Sequence, residues 1–422
     1  MSYYDDASLV LIPSGVKAAK VYSQKPTNGT GDFTFSRAST ATRTNASGAI
    51  ESVASGVPRL DYSGGATCPR LLLEGQRTNL ALYSEEFDNA YWIKLDVTVN
   101  ANTTETLSPD GTNDADKIVT SAGTASMRAR RIAITISSPT ISIYAKSAGV
   151  RYLGLSFGGN ANTTTTYDLL DGVITQTPTA VGASASIQSV GNGWYRCILS
   201  SSSVTNFNFE CNLFTSPTGN AVSTTIVGNG TDSVYLFGVQ FESGAFVSSY
   251  IPTTTASVTR IVDIAEKFGV GSLIGSPAGT IFLQVQILSL GYARSFISLQ
   301  DASYATNSIR IETTTANRWR IQIRNASTTI LDQTILTGSA FTTGNYKLAY
   351  AYDTNTNGVA FYVNGVSLFT TTVASIPTAC VNLFLGTRLA GIYDLNVSDS
   401  FDQALLFKTR LTNAQLAELT TL

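Results

Sequence analysis

The sequence predicts an all-β chain in three parts: an N-terminal assembly arm over residues 1–79, then two antiparallel β-sandwich domains over 80–254 and 258–422 that end in a short C-terminal helix. Three observations predict this. Apolar and polar residues alternate over short runs, the period of strands with one buried face. Turn signals rich in Gly, Asn and Asp separate those runs, and no helical period persists along the chain. At about 100 to 200 residues per domain, 422 residues also exceed one ordinary core.

In the arm, Leu9-Val-Leu-Ile is an apolar run stopped by Pro13, and Val16 to Tyr22 is a weaker one. Phe33 and Phe35 alternate with Asp32, Thr34 and Ser36, which reads as a strand. The remainder is polar and Gly-rich, too poor in contiguous apolar surface to offset its own ordering entropy. The arm is therefore expected to order on a partner subunit or on the neighbouring domain.

In 80–254, Ile141, Ile143 and Ala145 point one way and Ser142, Tyr144 and Lys146 the other. Leu153, Leu155 and Phe157 repeat the pattern, as do the runs 193–199 and 234–241, with turns at Pro109-Asp-Gly, Gly158-Gly-Asn, Asp171-Gly and Gly228-Asn-Gly. Pro252 and the β-branched polar residues after it mark an extended boundary. In 258–422, Ile281, Leu283, Val285 and Ile287 share a face, and strands are expected at 318–324, 346–352, 359–363 and 403–411. Asn364-Gly365 suits a type I′ hairpin. Thr412-Asn-Ala-Gln415 reads as a capping box opening the C-terminal helix.

Composition narrows the function. Apolar residues are 43%, near the globular norm, but only 13% are charged, about half the usual share, so polarity comes from hydroxyls and amides. A net charge of −2 with 27 scattered Lys and Arg lacks the basic footprint of a nucleic-acid binder. No apolar run approaches the roughly 18 residues of a membrane span, and the acidic start Met-Ser-Tyr-Tyr-Asp-Asp lacks the order of a secretory signal. Cys68, Cys197, Cys211 and Cys380 are far apart and read as core or incidental thiols made in a reducing cytosol. The chain has no His, which excludes His-based triads, general bases and metal sites. The nearest clustered acids, Glu85, Glu86, Asp114 and Asp116, read as exposed solubilising charges, so no catalytic residue is expected.

Several stretches carry a resemblance. Ser8-Leu-Val-Leu-Ile-Pro, Phe33-Thr-Phe-Ser-Arg-Ala-Ser-Thr, Arg77-Thr-Asn-Leu, Leu82-Tyr-Ser-Glu-Glu-Phe and Ala90-Tyr-Trp resemble the leader and join of fibre-type virion proteins of tailed bacteriophages. There they precede a carbohydrate-binding-module-like jelly roll, and Gln240-Phe-Glu-Ser-Gly through Ser249-Tyr-Ile-Pro resembles its end. Tyr346 to Asp353, Gly358 to Gly365 and Leu383-Phe-Leu-Gly-Thr-Arg are similar to a laminin-G-like or concanavalin-A-like sandwich. The resemblance implies a head- or tail-attached fibre on the virion surface. It implies a homotrimer, attachment to other virion proteins through 1–79, and multivalent adhesion to host glycans, with no nucleic acid and no membrane insertion. A polysaccharide depolymerase and a purely architectural decoration protein are the alternatives.

Binding modules of this class stack sugars on exposed aromatic rings, so Tyr91, Trp92 and Tyr362 are the glycan-contact candidates, while Trp194 inside an apolar strand reads as core. Asp353, Asn355 and Asn357 are a candidate calcium site, since some members of the sandwich family bind calcium through such side chains; an Asx-rich turn needs no metal. No other cofactor is expected.

Overall fold

The computed structural model describes residues 2–158, 161–219, 223–303, 306–338, 340–354, 358–387 and 398–422. The alternation read from the sequence becomes four large antiparallel sheets stacked as two sandwiches. In 80–254, one six-stranded sheet runs, in spatial order, Ile93–Leu95, Arg128–Thr135, Asn206–Phe214, Tyr152–Phe157, Thr165–Asp168 and Val173–Gln176. Its partner runs Val97–Asn100, Asp116–Thr120, Ser233–Ser243, Pro139–Ala148, Trp194–Ser201 and Ala183–Gly191. Ile141, Ile143 and Ala145 from the second meet Leu153, Leu155, Phe209 and Leu213 from the first in one core.

The second sandwich is assembled from both ends of the chain. Its eight-stranded sheet holds Leu9–Leu11, Arg59–Asp61 and Arg70–Glu74 beside Gly279–Ile287, Gly344–Tyr352, Val359–Val363, Val366–Thr371 and Ser398–Phe407. Its nine-stranded sheet holds Val16–Lys17, Lys20–Val21 and Phe33–Ser36 beside six strands from 264–385. Leu9 pairs with Leu406, Leu71 with Phe401 and Phe35 with Ala265. Residues 1–79 therefore order within this chain, as strands of the sandwich formed by 258–422 instead of a separate arm. The physical reason is burial: Leu9, Phe33, Phe35, Leu71 and Leu73 are at most 1% exposed within this chain, so the apolar content that called for a partner already has one. The pairing with Leu71–Glu74 also extends the last strand upstream to Ser398, ahead of the expected 403–411.

The first sandwich is thus an insertion in the second. The chain leaves along Arg77–Asn79 and returns along Val258–Arg260, and these two segments pair antiparallel as a ribbon. At the other extremity, the helix Asn413–Thr420 opens with the predicted capping box, Thr412 and Gln415 bonding reciprocally. Ala349, Ala351 and Ala360 keep the sheet beneath it low, and Leu416 is wholly buried there with Phe282, Leu405 and Tyr362. Asn364 and Gly365 both take positive φ, 49° and 81°, as a type I′ hairpin requires.

Candidate ligand-binding cleft

The junction between the sandwiches is held by charge. Arg59 is fully buried and donates Nη1 to Glu74 Oε2 at 2.6 Å and to Ser249 Oγ at 2.8 Å, while its Nη2 bonds Asp263 Oδ2. Arg260 reaches Glu74 Oε2 at 3.0 Å and donates to the Gly75 carbonyl at 2.6 Å; Arg37 reaches Asp263 Oδ1 at 3.0 Å. Ser249, at the end of the inserted domain, donates both its amide and its hydroxyl to Glu74, at 2.9 and 2.6 Å. Burial alone would raise the Glu74 carboxyl, but Arg260, Arg59 and the two Ser249 donors together hold it well below the usual carboxylate range.

Above this junction lies a cleft of about 1190 Å³. One wall is the outer face of a jelly-roll sheet. Ala185 and Ile187 turn to the core, so Ser184, Ser186 and Gln188 on the same edge strand turn out into the cleft. Cross-strand register continues this face: Ser184 pairs with Ser200, Ser186 with Ile198 and Gln188 with Arg196. The opposite wall is the hairpin Ala41–Thr44 and Ile50–Val53 with the segment 61–67. Asn45 Oδ1 fixes the hairpin tip by accepting from the Ser47 and Ala49 amides, both at 3.0 Å. Glu74, Ser248 and Ser249 form the floor, and Phe246, Gln286 and Leu288 close one end.

The charges that line the cleft are occupied. Arg196 donates to the Ser248 carbonyl at 2.8 Å and to Ser142 Oγ at 2.9 Å, with its guanidinium 5.2 Å from the Tyr144 ring centre. Asp61 accepts from the Thr44 amide at 2.8 Å and from the Ser63 amide at 3.0 Å. What remains for a ligand is a set of hydroxyls and amides with two half-buried aromatic rings, Tyr62 and Phe246. Phe246 is backed by the Arg77 guanidinium at 4.4 Å and edge-on by Tyr292 at 5.2 Å.

The aromatic candidates taken from the sequence lie elsewhere. Trp92 is 1% exposed, in the jelly-roll core against Phe87 and Phe209, with Nε1 donating to the Tyr83 carbonyl at 3.0 Å. Tyr91 is half-buried, edge-on to Trp92 and covered on its face by Arg131 at 4.1 Å. Tyr362 is 7% exposed beneath the C-terminal helix. Burial removes Trp92 and Tyr362 as stacking platforms, while Tyr91 keeps part of its ring exposed but lies outside the cleft lining. Trp194 is core as expected, its Nε1 bonded to the Leu107 carbonyl at 2.9 Å.

Asp353 is buried, and its charge acts on Arg410; Asn355 and Asn357 lie outside the described residues. Among the described residues no group of three or more His, Cys, Asp or Glu is placed to hold a metal, and no helix is long and apolar enough to cross a membrane. All four cysteines are free thiols, with Cys68 exposed and the others buried.

Of the acids expected to be exposed, Asp116 is instead buried and Glu85 half-buried. Burial pushes the Glu85 carboxyl up to about 7 against the Tyr250 hydroxyl that donates to it, with Asp114 and Asp110 adding repulsion. Burial likewise raises Asp116 to about 6, although the Phe87 and Asn102 amides donate to it. Neither lines the cleft. The cleft residues themselves were missed in the sequence. Their only local signal is the polar half of Ala183-Ser-Ala-Ser-Ile-Gln-Ser, which consists wholly of hydroxyls and an amide.

No family model matches the chain, and no curated protein matches it. Among solved structures, part of it is similar to the CBM40 domain of the Ruminococcus gnavus IT-sialidase, at 16% identity over 36% of this chain and 91% of that one, with a TM-score of 0.31. The NanB sialidase from Streptococcus pneumoniae matches at 14% identity over 36% of this chain and 25% of its own, with a TM-score of 0.31. The SAP-like pentraxin from Limulus polyphemus matches at 14% over 33% and 68%, with a TM-score of 0.26. Likenesses at these scores carry no weight for the ligand. The strand pairing itself establishes an all-β protein of two antiparallel sandwiches, one inserted in the other.

Proposed function

We propose that this chain is a non-catalytic carbohydrate-binding protein that holds a neutral glycan in the cleft between its two sandwiches. The observation that carries this reading is the lining: hydroxyl and amide groups, two half-buried rings, and charges already committed to protein partners. Sugars present hydroxyls and an apolar ring face, and such a surface offers complements to both. The two carboxylates of the lining support binding over hydrolysis. Glu74 is held ionised between two arginines and Asp61 accepts from two backbone amides, whereas a glycosidase needs one carboxyl free to give a proton.

The sequence resemblance supports a finer reading, in which the chain is a fibre-type protein of a tailed-phage virion, displayed on its surface as a homotrimer. Weak sites repeated on one particle gain avidity through effective concentration. Attachment to other virion proteins then involves the outer surface of residues 1–79, since Leu9, Phe33, Phe35, Leu71 and Leu73 are internal.

The test is a glycan array with full-length protein, its mass first fixed by light scattering against 44.7 kDa per chain. Saturable binding without release of shortened product is expected, reduced at least tenfold by Ser186→Trp, which fills the cleft from an exposed edge strand. Binding that Ser186→Trp leaves intact would move the site elsewhere. Absence of binding by a well-formed oligomer favours architecture, and released oligosaccharide favours a depolymerase.

A further inference from the structure

The other sheet of the jelly roll presents a second polar row, far in register from the cleft. Cys211 and Leu213 face the core, so Glu210, Asn212 and Phe214 on the same strand face outward. Register places Arg128 beside Asn212, Arg130 beside Glu210, and Ser156 on the other side of Glu210. Arg128 Nε lies 3.0 Å from Glu210 Oε2 and Arg130 Nη1 3.6 Å from Oε1. Two guanidiniums and one carboxylate leave the row with a net positive charge, and burial pushes the Glu210 carboxyl up against the pull of both arginines.

This row is unsatisfied. Both amide atoms of Asn212, Ser156 Oγ and Arg130 Nε are buried with no hydrogen-bond partner among the described residues, and Asn212 is only 1% exposed. Buried amides are nearly always paired, so a donor, an acceptor and a hydroxyl left open side by side call for a partner that the described residues do not supply. The Phe214 ring lies over Gly154 and walls one end, where a Cβ would come within 2.2 Å of it. The arginine end is the open one, with the Arg130 side chain 28% exposed.

We infer that this face is a binding site for a small carboxylate-bearing, hydroxylated ligand of the hexuronic-acid class. The carboxylate sits against Arg128 and Arg130, where a bidentate guanidinium contact is geometrically favoured. A ring hydroxyl then reaches the Asn212 amide, which can both donate and accept. The site is independent of the neutral-glycan cleft.

The test is calorimetric titration of full-length protein at constant ionic strength with sodium glucuronate, methyl glucoside and sodium acetate. Saturable glucuronate binding is expected. Arg130→Gln and Asn212→Ala should each weaken it about tenfold or more, while Ser186→Trp in the cleft leaves it unchanged. Arg130 is partly exposed, so Arg130→Gln remains informative if Asn212→Ala fails to fold. Acetate binding as tightly as glucuronate would replace the sugar by a bare anion, and methyl glucoside binding equally would remove the role of the arginines; either overturns the inference. So does an Asn212→Leu protein that melts higher with glucuronate affinity unchanged, because the amide would then be a tolerated buried polar group.

Discussion

The two sandwiches share one building rule and differ in how they close. The inserted jelly roll takes every strand of its two sheets from the continuous segment 93–243, whereas the outer sandwich joins strands from 9–74 to strands from 264–407 in both of its sheets. Alternation makes a strand in either case. Contiguity decides whether a unit can be separated from the rest, and the residues that could not pay their own ordering entropy turn out to be structural members of a distant partner.

Removal of residues 1–79 should have the largest effect. It takes three strands from each sheet of the outer sandwich and should abolish its cooperative unfolding transition, while a fragment 80–254 folds alone. The complementary deletion of 80–257, closed by an Asn-Gly turn across the paired Asn79 and Val258, should leave the outer sandwich folded but less stable, since Glu74 loses its Ser249 donors. Circular dichroism and hydrogen exchange on the three proteins check this, and a folded 80–422 would break the comparison.

Next in size is the junction. Arg59→Ala leaves Glu74 and Asp263 buried with less compensation and should cost about 3 to 5 kcal/mol in chemical denaturation. Loss of the partly exposed Arg43–Glu51 pair should cost at most about 1 kcal/mol. Equal effects would mean that the junction is not what ties the two units.

The smallest effect is in pH, where one carboxyl of the inserted unit and one of the junction should titrate with opposite sign. Glu85, in the inserted unit, rises from 4.5 to about 7 on folding. The folded state then binds the extra proton, so stability falls as pH rises from about 4.5 to about 7, and Glu85→Gln should flatten this slope by a few degrees of melting temperature. Glu74 is lowered on folding, so its contribution is present above 4.5 and is lost as pH falls below it. Melting curves from pH 4 to 8 of wild type and Glu85→Gln separate the two. A Glu85→Gln profile parallel to wild type would remove Glu85 as the cause.

Much of the fold was legible because strand periodicity is local. The runs around Ile141, Ile281 and Tyr346, the Asn364-Gly365 turn and the Thr412 capping box depend only on neighbours in sequence. The placement of residues 1–79 was not legible, because nothing near Leu9 specifies that it pairs with Leu406. The same holds for the candidate site. Trp92 looked available because a ring at a domain join resembles a platform, yet the Phe87 and Phe209 that bury it come from separate strands and loops. Arg59, Glu74, Arg260 and Asp263 lie far apart in sequence, and only folding gathers them. The cleft draws its lining from separated stretches between Thr42 and Leu288, so no short window of sequence contains it.

The pairing of Leu9–Leu11 with Ala404–Leu406 also sets an order of events during synthesis. Leu9–Leu11 meets this partner only after the long intervening chain has emerged, roughly 20 to 80 s at typical elongation rates. The jelly roll, complete about midway, can fold in that interval and hold the chain together at the Arg77–Asn79 ribbon end. Meanwhile Val16–Lys17, Lys20–Val21 and Phe33–Ser36 can pair with one another, and Leu9–Leu11 is the strand left waiting. The brevity of these strands and the Ser, Thr and Gly between them thus act as a solubility device for a nascent chain in which segments so far apart in sequence must meet.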